Sequence, residues 1–127
     1  MTQLLNQLPA KIPVFDSPLK RQFISKIREG TKTQTRKLKQ PKLRIGKAYF
    51  LRSPYRSVLP EKILITDIFQ QFLGEMTMED IRKEGFQKED EFIEIWREIY
   101  GSYKADELIW VVEFQYTGDT EMFKEKP

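Results

Sequence analysis

Eight residues from Gly30 to Lys37, GTKTQTRK, carry three threonines and four bases or amides and nothing apolar to bury. Two readings are open for such a stretch. It is a polar edge strand guarded by solvated charge, or a row of donors arranged to meet a ligand. The chain has no histidine, which removes the usual general base and the commonest transition-metal ligand. It has no cysteine, so there is no disulfide framework, thiolate nucleophile or Cys-based metal site. Chemistry here must use Lys, Asp, Glu, Thr, Ser or Tyr. A threonine hydroxyl is a weak nucleophile until an adjacent base activates it. Lysine can be that base only where desolvation or a like charge lowers its pKa.

The net charge of +3 hides an asymmetry. Residues 20–56 hold 13 Lys and Arg against one acid, Glu29, a local charge of +12. Residues 57–127 hold 8 bases against 17 acids, or −9. A basic half suits a polyanion, because each neutralised phosphate releases counterions. The alternative is that the two halves attract each other across the fold.

A length of 127 residues suggests one domain, 1–127, with one core. Its N-terminal residues lack the basic start and long apolar run of a secretory signal. No apolar stretch approaches membrane-spanning length, so a cytoplasmic protein without a membrane partner is expected. No cofactor and no metal site is expected either.

The positioning elements are legible. DSPLKRQFISKIREG reads as a helix over about 17–28, capped by Asp16 or Ser17, with Pro18 in its first turn and Gly30 past its end. Leu19, Phe23, Ile24 and Ile27 form its apolar face. The threonine-rich run favours a strand starting near Thr33, and AYFLR a second one. SPYRSVLPEK reads as a polar loop and KILITDIFQQF as a third strand. Thr77 with Asp80 suggests a helix start close to a capping box. KEDEFIEIWREIYG predicts a helix with Phe92, Trp96, Ile99 and Tyr100 on one side, ended by Gly101. In LIWVVEFQY, residues 108, 110, 112, 114 and 116 alternate onto one face, with Trp96 and Trp110 as core. Residues 117–127 read as a frayed tail. Short strands with helical insertions indicate an α+β class and a small, partly open barrel.

Four pieces in order, IREGTKTQTRK, RIGKAYF, KEGFQKEDEFIEIWREIYG and IWVVEF, resemble the ASCH domain family over roughly residues 13–116. The resemblance implies a PUA-like β-barrel of about five or six strands with flanking helices and RNA or a modified nucleoside as partner. One branch of that family consists of small amidohydrolases that deacetylate N4-acetylcytidine through a Lys, Thr and Glu set. Carried onto this sequence, the set falls on Lys32, Thr35 and Glu84. The ligand would then lie between Gly30–Lys37 and the Glu84–Phe86 insertion.

Residue reasoning adds conditions. Arg28, Arg36 and Lys37 give Lys32 cationic surroundings, and Glu84 beside Phe86 could hold a proton. On a regular strand, Lys32 and Thr35 face opposite ways. They converge only if Lys32 sits in the turn after Gly30 or a bulge intervenes. From spacing alone, Glu84 among its acidic neighbours reads as a surface residue. Neither Lys32 nor Thr35 is expected to support the core. Arg36, Lys37, Arg52 and Arg56 are expected on phosphates. Tyr55, like Tyr49, is a tyrosine that could stack a base. The expected function is binding of RNA or a modified nucleoside, with amidohydrolysis as the alternative. A ribonuclease is a weaker one, needing a Lys/Tyr/Arg set or a carboxylate-bound metal.

Overall fold

The computed structural model describes Phe15 and residues 21–53 and 57–119, with only the backbone of 21, 22 and 119. Asp16–Lys20 and Pro54–Arg56 lie outside the described residues, and with them the expected helix cap, Leu19, Tyr55 and Arg56.

The elements are α1 (Arg21–Glu29), β1 (Gln34–Lys37), β2 (Ala48–Arg52), β3 (Val58–Phe72), a 3-10 turn (Leu73–Glu75), α2 (Met78–Lys83), α3 (Glu89–Tyr100) and β4 (Leu108–Asp119). The four strands form one antiparallel sheet in the order β1-β4-β3-β2. The sheet is open among the described residues, where a barrel of five or six strands was expected. Among the described residues, each of the four expected strand-forming runs became one strand.

β3 and β4 exceed their expected lengths. Val58 to Lys62, expected in a loop, open β3, and residues 117–119 continue β4 rather than fray. Pro60 is tolerated because the β2–β3 register shifts between Phe50 and Arg52, so no regular ladder bond is needed from it. A second shift, between Ile65 and Asp67, bends β3 against β4. Both faces of β4 are covered in its middle: Ile109, Val111 and Val112 are fully buried and Phe114 nearly so. Leu108 and Trp110 depart from the expected core stripe. Leu108 is exposed at the end of the sheet, and Trp110 is half-buried opposite Lys37 and Gln70.

α1 packs against β4 through its apolar face, where Phe23, Ile24 and Ile27 are buried. It stops at Gly30, whose φ of 84° is open to glycine without strain. α2 begins with a reciprocal cap in which Asp80 N–H donates to Thr77 Oγ1 at 3.1 Å and Thr77 N–H to Asp80 Oδ2 at 3.0 Å. Its C-terminal end docks on edge strand β1, where the amide of Thr33 donates to Lys83 O at 2.7 Å. A helix thus covers backbone that an edge would leave open. An aromatic row, Phe23, Phe86, Phe92, Trp96 and Tyr100, runs from α1 to the end of α3 with ring centroids 4.3–6.1 Å apart.

Candidate functional site

The turn after α1 decides where Lys32 goes. The amides of Thr31 and Lys32 both donate to Lys26 O, at 2.9 and 3.1 Å, and the strand starts only at Gln34. Lys32 therefore lies off the pleat and escapes the alternation that would point it away from Thr35. Its ammonium donates to Gln34 O, Glu84 O and Glu84 Oε1, each at 3.0 Å. Those bonds use all three of its protons. Nζ also sits 5.1 Å from the centre of the Phe23 ring. With 3% of its surface exposed, Lys32 is part of the interior, against the expectation that it supports nothing.

Glu84, expected from spacing at the surface, is buried at the C-terminal end of α2. Its two oxygens are divided between two cations. Oε1 accepts from Lys32, and Oε2 accepts from Arg36 Nη1 at 3.0 Å. Arg36 Nε donates to Gln71 Oε1 at 3.0 Å, and Nη2 lies 3.4 Å from Asp80 Oδ1. Gln71 Nε2 closes the ring to Asp80 Oδ2 at 3.2 Å. The expectation that Arg36 contacts phosphate is corrected: its side chain is enclosed, Nε and Nη1 donate to Gln71 and Glu84, and Nη2 faces Asp80.

The glycine of KEGF has a steric role. Gly85 has φ 96°, and a Cβ there would lie 3.1 Å from Lys26 Cδ and 3.3 Å from Lys32 Cβ. Its carbonyl accepts from Lys26 Nζ. Glu84 thus feeds the charge network, Gly85 permits the close approach, and Phe86 joins the aromatic row.

Burial pushes the Lys32 pKa down from its ordinary 10.5; Glu84 opposes that, while Arg36 and Lys26 add to it. Two buried cations depend on one carboxylate. Such a set adds little net stability, but removing the shared partner strands charge in a dry site.

A cavity of about 80 Å³ opens beside this network. At about 30 Å³ per water, it has room for roughly two or three waters. Lys32, Thr35 and Glu84 all line it, together with Phe86, Trp96 and Tyr100. Thr35 is paired in register with Val112 and is 8% exposed. Ile99 and Tyr100, expected on the same side of the helix as Phe92 and Trp96, also line the cavity and remain 48% and 36% exposed. They form its exposed rim at the end of α3.

The other expected contacts are scattered. Lys37 lines the cavity and is half-buried, with its Nζ 5.1 Å from the centre of the Phe15 ring. Arg52 is on β2, at the opposite edge of the sheet from β1. Tyr49 is buried, and its hydroxyl accepts from Arg44 N–H at 2.9 Å, so it offers no stacking face. Tyr55 and Arg56 fall outside the described residues. Asp80, Gln71 and Lys26 were missed as members of the network. Asp80 was legible as a cap, but Gln71 carried no signal within its strand. Among the described residues, no group of three acidic side chains could hold a metal ion.

No protein-family model matches the sequence, and no curated protein matches it. Solved structures do match in fold. An ASCH domain from Lactobacillus crispatus JV V101 superposes with a TM-score of 0.65 at 14% identity, covering 76% of this chain and 70% of that one. A DUF984 protein from Enterococcus faecalis V583 gives 0.60 at 14% identity, over 77% and 71%. An ASCH protein from Zymomonas mobilis gives 0.55 at 16% identity, over 86% and 78%. The chain has the fold of ASCH domains. No helix among the described residues is long and apolar enough to cross a membrane.

Proposed function

We propose that this chain is an ASCH-family domain whose cavity receives the base of a modified nucleoside. The observation that carries the reading is the convergence of Lys32, Thr35 and Glu84 on one small cavity with aromatic walls. Trp96 and Tyr100 offer faces against which a base could pack, and one stacked base is worth on the order of 1–3 kcal/mol. The Thr35 hydroxyl both donates and accepts, so it suits the edge of a pyrimidine. The ion network holds these groups in place before a ligand arrives. Titration with cytidine and N4-acetylcytidine, followed by tryptophan fluorescence, tests this. A saturable change that weakens about tenfold in Thr35→Val is expected, on the scale of a lost buried hydrogen bond. A wild-type protein with no response to either nucleoside in fluorescence or calorimetry would overturn the reading.

A second reading, hydrolysis of the acyl amide, is favoured by the downward shift of Lys32 in the cavity that holds Thr35. At rest, the Lys32 ammonium is fully bonded. Loss of one proton to solvent, which the lowered pKa favours, would free its lone pair while Glu84 Oε1 stays 3.0 Å away. The amine would then take the Thr35 proton as Oγ1 attacks the acyl carbon. The C–N bond breaks as the amino nitrogen takes that proton from Lys32, leaving an acyl ester on Thr35. Water, activated by the same amine, releases the acid and returns the proton to Thr35 Oγ1. This route predicts that incubation with N4-acetylcytidine yields cytidine. The rate is expected to rise with pH and level off below 10.5, because the base form is populated at lower pH when the Lys32 pKa is depressed. Failure of the wild-type protein to release cytidine rules out this second reading and leaves the binding reading standing.

A further inference from the structure

The small cavity continues into a larger groove of different chemistry. That groove, about 420 Å³, is lined by Lys37, Lys39, Gln40 and Lys42 with Phe15 and Tyr100, and among the described residues no acid lines it. Lys37 and Tyr100 line both spaces. Lys39 and Lys42 are exposed on the loop that follows β1. They form no ion pair with a described residue, whereas the cations beside the cavity are bound to Glu84.

We infer that the ligand carries a phosphate ester on its ribose, and that Lys39 and Lys42 receive this phosphate while the base occupies the cavity. The inference rests on the base-binding reading above and goes beyond it by distinguishing nucleotides from free nucleosides. Three observations support it. First, the available charge differs by position: at the cavity Lys32 and Arg36 are engaged by Glu84, whereas the only charged residues lining the groove, among the described residues, are lysines. Second, the two spaces adjoin. Lys37 shares a face of β1 with Thr35, about 7 Å along the strand, and lines both the cavity and the groove that holds Lys39 and Lys42. Third, the rim is apolar where the sugar would cross. Tyr100 stands there, and Leu38 N–H donates to its hydroxyl at 3.5 Å, which ties the end of α3 to the basic loop. A mononucleotide and a nucleotide within an RNA strand present the same chemistry, so both are compared in the test.

The test measures equilibrium binding at low salt for cytidine, cytidine 5′-monophosphate, cytidine 3′-monophosphate and a short oligocytidylate. At least one phosphorylated form is expected to bind about tenfold tighter than cytidine, with the advantage shrinking as salt rises. In Lys39→Ala/Lys42→Ala the ratio of phosphorylated to free affinity falls towards one. In Lys88→Ala/Lys104→Ala, an equal change of charge at exposed positions outside the groove, the ratio stays as in wild type. A preference for the oligonucleotide over both monophosphates identifies an RNA strand as the source, and equal binding identifies a mononucleotide. Cytidine binding as tightly as every phosphorylated form overturns the phosphate inference and leaves the base pocket standing. An unchanged ratio in the Lys39/Lys42 variant overturns the assignment of these lysines. Absence of binding by all four compounds overturns the inference, and the pocket falls with it when N4-acetylcytidine is not bound either.

Discussion

The basic half of the chain divides into two regions that composition treats alike. Lys32 and Arg36 lie inside the protein on Glu84, with Asp80 and Gln71 completing the ring. Lys39, Lys42, Arg44 and Lys47, on the loop between β1 and β2, face water. The first region fulfils the plainer expectation from the charge asymmetry, that the acidic and basic halves attract each other. The second retains the excess that a polyanion could use. A net charge therefore shows how many cations a segment has, and only the fold decides how many of them are available.

The largest expected effect comes from breaking the buried region at its shared partner. Glu84→Gln keeps the shape but leaves Lys32 and Arg36 without their carboxylate. A loss of about 3–5 kcal/mol in chemical denaturation is expected. A loss under 1 kcal/mol would mean that water or Asp80 compensates both cations and that the network is not the dry site described. Single alanine substitutions at Lys39 or Lys42 are expected to stay within about 0.5 kcal/mol, which sharpens the contrast.

Next in size is Lys32→Met, which removes one cation from the pair and leaves Glu84 with Arg36. A cost of about 1–3 kcal/mol is expected from the unpaired acceptors. Its pH signature is more specific than its size. The folded pKa of Lys32 lies below the ordinary 10.5. Between those two values the unfolded chain holds more protons, so stability rises with pH there. This contribution is complete above 10.5 and is lost as pH falls through the folded value. Wild-type protein should show the alkaline gain in denaturation midpoint and Lys32→Met should lack it. Parallel profiles would place the ammonium in a solvated environment.

The smallest effect is expected at Arg28 and Glu61, an ion pair that also joins the two halves but lies at the surface, with the Arg28 side chain 47% exposed. Arg28→Ala should cost no more than about 1 kcal/mol, and less in high salt. A cost equal to that of Glu84→Gln would show that burial does not separate these pairs.

These comparisons also show what the sequence made legible. Helix faces, the stop at Gly30, the Thr77 cap and the four strand-forming runs all follow from local periodicity and turn chemistry. The turn position of Lys32 was legible too, because strand alternation left few other ways for it to meet Thr35. Burial of Glu84 and Arg36 was not. Each looks solvated among its chain neighbours, and only the pairing of β1 with β4 and the docking of α2 encloses them. The length of β3 was hidden by Pro60, whose strand-breaking signal is silenced by the register shift beside it. The open four-stranded sheet of the described residues differs from the expected barrel, whose count of five or six strands came from family resemblance.

The bonds that hold the pocket join positions far apart in the chain. Lys32 meets Glu84 across 52 residues, Arg36 meets Glu84 across 48, and Gln34 meets Glu113 across 79. Closing such loops costs chain entropy before any contact repays it, so a pocket of this kind is expected to form late in folding. The β3–β4 pairing can come earlier, with β1 and α2 then trapped against it. Amide exchange at Thr33, whose N–H is bonded to Lys83 O, is therefore expected to report opening of the pocket. A partly folded chain would have its longest strand pair and still no place for a ligand.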